Sequence, residues 1–388
     1  MSNLSRVLLP SALTALALSL GCTSTSPTMS SGIHGGVLVA GTSTNDSGSA
    51  IPGVWANGTW VPLALPAGMD SGTVGGMASD GDDLYVAGGV SASGVGPVVA
   101  GRPAPLNGIG LFDSVPGYWL NGAWASLPLG LATSGTVNSV VVSGDDVYIG
   151  GDCYFPGGVQ TPGYWMNGAW TGLPVGAAVA AVATSLVVSG TDVYLGGLLR
   201  GADQTTYIPG YWENGLWNPL EPLAMVQNQV NAIAVSGANV YVAGFSMDSF
   251  GENTYPGCWT NRTWAALPFP SLTGYNFGTV TGLFLSGSDV YAAGYCSDSG
   301  IAYTPGYWKN GIWHGLVSGP GAAYSSQTGS IFVSGTDVYV TGICSSTPGS
   351  GFFPAQPGYW KNGIWTALPA LDSTQVSRLA AGGSIIVR

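Results

Sequence analysis

The sequence predicts an all-β fold made of seven repeats, and three observations support this prediction. The tetrapeptide Pro-Gly-Tyr-Trp recurs with small variations, beginning at Pro52, Pro116, Pro162, Pro209, Pro256, Pro305 and Pro357. A further tryptophan follows each of these tryptophans after five residues. Each repeat also holds four short strand-like segments between turn signals, without an amphipathic helix pattern. Four strands in each of seven repeats indicate a seven-bladed β-propeller of four-stranded blades, covering residues 36–388.

The repeat that begins near residue 139 shows its elements most clearly. A β-branched run at 139–143 predicts the first strand, and a turn at Gly144-Asp145 leads to a second strand at 147–151. The third strand contains residues 162–165, and Asn167-Gly168 turns the chain into a short fourth strand. The same order of elements is expected in the other repeats.

The turn between the third and fourth strands explains the tryptophan spacing. Asn-Gly favours a type I′ turn, because both central residues need a positive φ. The two tryptophans of a repeat then face each other across the hairpin, and such an aromatic pair adds about 0.5–1.5 kcal/mol beyond its burial. We predict a structural role, rather than ligand stacking, for Trp55, Trp60, Trp119, Trp124, Trp165, Trp170, Trp212, Trp217, Trp259, Trp264, Trp308, Trp313, Trp360 and Trp365.

Two other turn features give predictions. Asn261-Arg262 carries a side chain where a type I′ turn favours glycine, so Arg262→Gly should stabilise the protein by about 0.5–1 kcal/mol. The aspartates of the Ser-Gly-x-Asp-Val-Tyr motif are expected to bond to nearby backbone groups. They are Asp146, Asp192, Asp289 and Asp337.

The repeat resembles the kelch-type repeat of the galactose-oxidase-like β-propellers. In that pattern a hydrophobic strand ends in two glycines, and a tyrosine, a tryptophan six residues later and a Leu-Pro-like end follow. Here Gly150-Gly151, Tyr164, Trp170 and Leu173-Pro174 fill these places. The resemblance implies a propeller. It is also compatible with a carbohydrate-active enzyme that has acids and arginines at the channel mouth. A copper-radical oxidase of this type would need His, Tyr and Cys ligands. The chain has just two histidines, which argues against such an oxidase.

Charge and composition narrow the functional classes. The formal net charge is −11, from 8 basic and 19 acidic residues, so we expect no nucleic-acid partner. Two histidines and two lysines make a multi-histidine metal site or a lysine catalyst improbable. We therefore expect no metal and no cofactor, and the alternative is a Ca²⁺ site on an acidic face.

The N-terminus predicts export and lipid attachment. Arg6 precedes an apolar stretch at 7–20, which is too short to span a bilayer and fits a signal peptide. Ser19-Leu20-Gly21-Cys22 is similar to the site at which bacterial lipoproteins are cleaved and acylated, although leucine is usual at the place of Ser19. We predict a signal peptide at 1–21, lipidation of Cys22 and a flexible tether at 22–35. The protein would then be anchored in the bacterial cell envelope, at the outer membrane or cell surface; secretion without a lipid is the alternative.

Ring closure and cysteine pairing can also be predicted. Residues 37–41 resemble a second strand, 376–381 a first strand and 384–387 another second strand. We expect the C-terminal segment to join the N-terminal strands in a shared blade. Equivalent cysteines of neighbouring blades are too far apart for easy bridging, which favours free thiols at Cys153, Cys258, Cys296 and Cys344.

The connections between second and third strands differ most among the repeats. Six of the seven carry an acid, which also helps a charge-poor exported protein to stay soluble. We predict that this loop face binds a partner through Asp46, Arg102, Asp113, Asp152, Arg200, Asp203, Asp248, Glu252 and Asp298. The leading hypothesis is a non-catalytic lipid-anchored scaffold whose partner is a protein or a glycan. The alternative is a carbohydrate-active enzyme that uses Arg102, Asp152, Arg200 and Asp203 at the channel mouth.

Overall fold

The fold consists of β-strands. The computed structural model describes residues 36–388 except 46, 93–113, 158, 204, 222–226, 249–251, 271–273, 299–301, 320–324, 346–354 and 370–383. The described residues form 28 strands and no helix, which confirms the all-β prediction. Accordingly, this part of the chain has no helical segment able to cross a membrane.

The strands form six hydrogen-bonded sheets, which we number along the chain. Sheet 1 contains β1 (Val37–Thr44), β2 (Ala50–Ala56), β3 (Thr59–Pro62) and β28 (Ile385–Val387). Sheet 2 contains β4 (Ser71–Asp80), β5 (Asp83–Ser91), β6 (Val115–Leu120) and β7 (Ala123–Ser126). Sheet 3 contains β8 (Ser134–Ser143), β9 (Asp146–Phe155), β10 (Val159–Met166) and β11 (Ala169–Gly172). Sheet 4 contains β12 (Ala180–Ser189), β13 (Asp192–Arg200), β14 (Tyr207–Glu213) and β15 (Leu216–Pro219).

The last two sheets differ in size. Sheet 5 contains β16 (Gln227–Ser236), β17 (Asn239–Met247), β18 (Thr254–Thr260), β19 (Thr263–Ala266), β20 (Phe277–Ser286), β21 (Asp289–Ser297), β22 (Thr304–Lys309) and β23 (Ile312–Gly315). Sheet 6 contains β24 (Ser325–Ser334), β25 (Asp337–Ser345), β26 (Ala355–Lys361) and β27 (Ile364–Ala367).

The sheets are arranged in a ring. The first strands contact one another around a complete circuit, in the order β4, β8, β12, β16, β20, β24, β28 and back to β4. This arrangement is a β-propeller, but the prediction of seven separate four-stranded sheets is not met, because five sheets have four strands and sheet 5 has eight. A single parallel bridge between Thr254 and Phe277 joins the groups β16–β19 and β20–β23.

The ring closes in sheet 1, which combines the two ends of the chain. The strand order is β28-β1-β2-β3, with Leu38 paired to Ile386, so the predicted sharing is confirmed. The prediction that 384–387 forms a second strand is wrong. Since β1 already pairs with β2 and holds the second place, β28 takes the first place. The predicted first strand at 376–381 lies outside the described residues.

The hairpins between third and fourth strands have the predicted geometry. The turn asparagines have φ between 48° and 51°, and the next residue has φ between 77° and 87°, including Arg262. The two tryptophans are direct cross-strand partners in every hairpin, as Trp119 and Trp124 illustrate. Their ring centroids are 4.3–4.6 Å apart. The first tryptophan of each pair is fully buried and the second is half-buried.

The buried tryptophan also joins neighbouring groups of strands. At six joints its Nε1 donates to a backbone carbonyl of the preceding group at 2.7–3.0 Å, for example from Trp165 to Pro128. At the joint between sheets 4 and 5, Nε1 of Trp259 is buried and has no hydrogen-bond partner among the described residues. Arg262 of the same hairpin instead donates from Nε to the carbonyl of Pro219 at 2.8 Å.

The core lies between neighbouring sheets, and the cysteines belong to it. Ala87 of sheet 2, for instance, packs in one cluster with Val140, Cys153 and Trp165 of sheet 3. All four described cysteines are free thiols, as predicted. Burial raises the pKa of Cys153 to about 12, so this thiol stays protonated near neutral pH.

Candidate functional site

The ring presents two ends. The hairpin end carries the turns between first and second strands and between third and fourth strands, and the loop end carries the remaining connections. Of the residues predicted to form a binding face at the loop end, Asp46, Arg102 and Asp113 lie outside the described residues. The signal peptide, the lipidation site Cys22 and the tether lie outside them as well.

Two of the predicted acids stabilise their own loops. Thr206 donates to Asp203 through its hydroxyl and, at 2.9 Å, through its backbone N–H, and Thr205 N–H donates at 3.1 Å. These hydrogen bonds lower the pKa of Asp203 to about 2. Asp248 accepts from the backbone N–H of Glu252 at 3.0 Å and from the side chain of Asn253.

The other predicted loop-end residues occupy separate loops. Glu252 and Asp298 are exposed, while Arg200 is partly buried where β13 ends. Across the described positions, no group of three His, Cys, Asp or Glu side chains is arranged to hold a metal ion. The described acids therefore do not assemble into a single polar centre.

Asp152 lies elsewhere than the sequence predicted. It was expected on a connecting loop, but β9 and β10 continue to pair beyond Gly151, so that Asp152 faces Pro162 inside the sheet. Its side chain is 1% exposed. The backbone N–H of Ala183, in sheet 4, donates to Oδ1 at 3.1 Å, and the Asn138 amide donates to Oδ2 at 3.3 Å.

Burial governs the chemistry of Asp152. Removal from water raises the pKa of this carboxyl to about 7, and the surrounding hydrogen-bond donors oppose that rise only in part. At the corresponding place after the second glycine, other repeats have Leu198, Phe245 and Ile343. Asp152 is thus a buried polar link between sheets 3 and 4, a role that the loop-face prediction missed.

The hairpin end is held by asparagine clamps that sequence reasoning also missed. In sheet 3, Asn167 accepts from the N–H of Val147 at 2.9 Å and donates to Oδ1 of Asp146 at 2.7 Å. Among the described residues these aspartates accept from the asparagine side chain rather than from nearby backbone N–H groups, so the predicted local backbone bonds are wrong. The same donation, at 2.7–2.8 Å, joins Asn121 to Asp83, Asn214 to Asp192, Asn261 to Asn239, Asn310 to Asp289 and Asn362 to Asp337.

A pair of tyrosines lies beside the asparagine clamp in several sheets. In sheet 5, Tyr291 and Tyr307 have ring centroids 6.3 Å apart, and Nζ of Lys309 lies 5.2 Å from the centre of the Tyr291 ring. The same Nζ is 2.8 Å from Oδ2 of Asp289. Hydrogen bonding to Lys309 lowers the pKa of Asp289, and the same contact raises that of the lysine.

A groove opens between sheets 3 and 4 at the hairpin end. Its volume is about 440 Å³. Asp146, Tyr148, Tyr164 and Met166 line it from sheet 3, and Asn214 with neighbouring turn residues lines it from sheet 4. Carboxylate, aromatic and amide groups thus border one open groove.

Comparisons with known proteins give a likeness of fold. No family model matches the chain, and a search of curated proteins found no match. The β-propeller domain of the Trilobed protease from Pyrococcus furiosus has a TM-score of 0.47 and 11% identity, over 88% of this chain and 97% of that one. A six-bladed fungal lectin from Aleuria aurantia has a TM-score of 0.42 and 10% identity, over 83% and 98%. YCF48 bound to D1 peptide has a TM-score of 0.41 and 13% identity, over 87% and 90%. These values favour no particular activity, and the kelch resemblance stays a prediction.

Proposed function

We propose that the protein is a non-catalytic binding scaffold, a lipid-anchored β-propeller of the bacterial cell envelope whose partner is a protein or a glycan. The dispersal of charged groups at the loop end carries this proposal. Asp203 and Asp248 hold their own loops, and Glu252 and Asp298 are exposed on different loops. Separate groups of this kind suit contact with an extended partner, whereas catalysis needs an acid and a base aimed at one bond.

We also infer that the ring has seven blades. Each half of sheet 5 repeats the strand pairing and the tryptophan hairpin of the other sheets, and one bridge joins the halves. On this reading the bridge at Thr254 links two complete blades. The kelch-like motif and the seven hairpins are consistent with that count.

A carbohydrate-active enzyme at the channel mouth is the alternative function. Asp152 has a pKa near 7, which would suit a general acid or base. Its side chain is 1% exposed, and its two carboxylate oxygens accept hydrogen bonds from Ala183 and Asn138. A sugar therefore cannot reach it in this conformation. The position of Asp152 therefore favours binding over catalysis.

A thermal-shift screen of the full chain against glycans and divalent cations, with and without chelator, tests the scaffold proposal. A ligand at 100 times its dissociation constant should stabilise the protein by about 2.7 kcal/mol. The double variant Glu252→Gln/Asp298→Asn should lose the shift, and Asp289→Asn at the hairpin end should keep it. Turnover of a glycan during the assay would overturn the non-catalytic assignment, and a shift abolished by chelator would indicate a cation site instead. Absence of both a shift and a cross-linked protein partner on intact cells would overturn the scaffold proposal.

Lipid anchoring is tested separately by metabolic labelling. The full chain expressed in a bacterial host should incorporate radiolabelled palmitate, and Cys22→Ala should not. Equal labelling of both proteins, or no labelling of either, would contradict lipidation at Cys22.

A further inference from the structure

Sets of two tyrosines and a carboxylate recur at the hairpin end, and most have a cationic neighbour. Lys309 and Lys361 lie against the sets of sheets 5 and 6. Arg262 is near enough to Tyr211 of sheet 4 to act on it electrostatically. In sheet 2, the Arg388 guanidinium donates to the backbone carbonyls of Asp82, in the turn between β4 and β5, and of Asp83, the first residue of β5.

Lys309 and Lys361 are the two lysines of the chain, and their contacts show how such a set holds an ammonium group. Nζ of Lys309 is 2.8 Å from Asp289 and 5.2 Å from the centre of the Tyr291 ring. Nζ of Lys361 is 2.8 Å from Asp337 and 5.3 Å from the centre of the Tyr339 ring. The other carboxylate oxygen is held by the clamp asparagine in both cases. Each set therefore binds a primary ammonium group through a carboxylate and an aromatic face.

Sheet 3 has the same parts without a lysine. Asp146 is held by Asn167 at 2.7 Å, and the rings of Tyr148 and Tyr164 are 6.3 Å apart. Met166 stands opposite Tyr148, at the place that Lys309 takes opposite Tyr291. Among the described residues, no basic side chain contacts this set. The set opens into the groove of about 440 Å³ between sheets 3 and 4.

We infer that the groove between sheets 3 and 4 binds a primary alkylammonium group, which a lysine side chain of a partner protein would supply. The ammonium group would contact Asp146 and the Tyr148 ring as the internal lysines contact theirs, and its alkyl chain would lie against Met166. The net charge of −11 favours the approach of a cation. This inference rests on the proposed scaffold function and names the chemistry of its partner at one site.

Equilibrium dialysis of the full chain with radiolabelled Nα-acetyl-lysine methylamide tests the inference. We expect millimolar binding of one equivalent, and at least tenfold weaker binding of the norleucine analogue, which has the same chain without the ammonium group. Asp146→Asn keeps the acceptor for Asn167 but removes the charge, so it should weaken binding at least tenfold. Glucosamine serves as the second source of an ammonium group, and tighter binding of glucosamine than of the lysine probe would assign the site to an amino sugar and overturn the protein-lysine assignment.

Two exchanges between repeats make the test independent of folding defects. Met166→Lys should fill the site as in sheets 5 and 6, abolishing probe binding while leaving the melting temperature unchanged or higher. Lys309→Met should empty the site of sheet 5 and raise the stoichiometry to two. Unchanged binding by Met166→Lys, no gain in Lys309→Met, or equal binding of the norleucine analogue would each overturn the inference. Failure here would leave the loop-end proposal intact, because that proposal is measured with Glu252 and Asp298.

Discussion

Nε1 of Trp55 donates a hydrogen bond to the carbonyl oxygen of Pro369 at 2.7 Å, across 314 residues of sequence. Trp55 is fully buried in β2, and Pro369 follows β27, so the bond joins the last sheet to the first. The corresponding bond from Trp119 to Ala64 joins sheets 1 and 2 in the same way. Ring closure therefore uses the ordinary joint between repeats, in addition to the pairing of β28 with β1.

Removing the closing bond should destabilise the protein. Trp55→Phe keeps an aromatic ring but removes the part-buried hydrogen bond to the Pro369 carbonyl, which contributes about 0.5–1.5 kcal/mol. Trp259→Phe is the matched control, since Trp259 is the equivalent fully buried tryptophan and its Nε1 has no partner among the described residues. Urea denaturation should show a larger loss of unfolding free energy for Trp55→Phe. Equal losses would mean that the bond to Pro369 contributes nothing to closure.

Asp152 should make stability decrease as the pH rises. Its folded-state pKa of about 7 lies above the ordinary carboxyl pKa of 3.8, so the folded state binds more protons than the unfolded state between pH 4 and 7. The stability contribution is fully present below about pH 4 and is lost as the pH rises through about 7. The loss is on the order of 4 kcal/mol, from roughly 1.4 kcal/mol for each unit of pKa shift. Asp152→Asn should flatten this slope in denaturation measured from pH 4 to pH 8, and should be more stable than the parent at pH 8.

Asp203→Asn provides the control for that pH dependence. Hydrogen bonds lower the pKa of Asp203 to about 2, so its stability contribution is present above about pH 4 and is lost as the pH falls through 2. The substitution should therefore leave the slope between pH 4 and pH 8 unchanged. Identical slopes in Asp152→Asn and the parent protein would contradict the assignment to Asp152.

The two glycines that end a second strand should respond differently to alanine. A Cβ on Gly197 would lie 2.1 Å from the backbone oxygen of Val182, whereas a Cβ on Gly196 would lie 3.0 Å from the side chain of Val230. Gly197→Ala should thus lose about 1–3 kcal/mol or more, because backbone must move, and Gly196→Ala should lose less. Thermal denaturation of the two variants compares them directly, and an equal loss would show that the Val182 backbone yields easily.

Arg262 combines two opposing effects. Its φ of 77° favours glycine by roughly 0.5–1 kcal/mol, while its bond to the Pro219 carbonyl contributes about 0.5–1.5 kcal/mol. Arg262→Gly should therefore have a melting temperature close to that of the parent, rather than the clear gain expected from the turn alone. Arg262→Ala loses the bond without relieving the backbone, so it should be about 1 kcal/mol less stable than Arg262→Gly. A clear gain in Arg262→Gly would show that the Pro219 bond is negligible.

The glycine pattern shows how far sequence reasoning reaches. The first glycine of the kelch-like pair becomes Ala243 in one repeat and Thr341 in another, while the second, such as Gly244 and Gly342, is kept in both. A Cβ on Gly244 would lie 1.9 Å from the backbone oxygen of Gln229, which explains why that place excludes side chains. The sequence displayed the pattern, but the cause is a contact between adjacent strands.

The sequence by itself determined the local architecture: the all-β class, the hairpins with two residues at positive φ, and the pairing of Trp119 with Trp124. These features depend on turn chemistry and on spacings of a few residues, which act the same way in every repeat. The tertiary structure decided the burial of Asp152, the bridge between Thr254 and Phe277, and the contact of Lys309 with Asp289. These features depend on how far two strands continue to pair and on which side chains the fold brings together. The residue spacing within a single repeat does not determine such contacts.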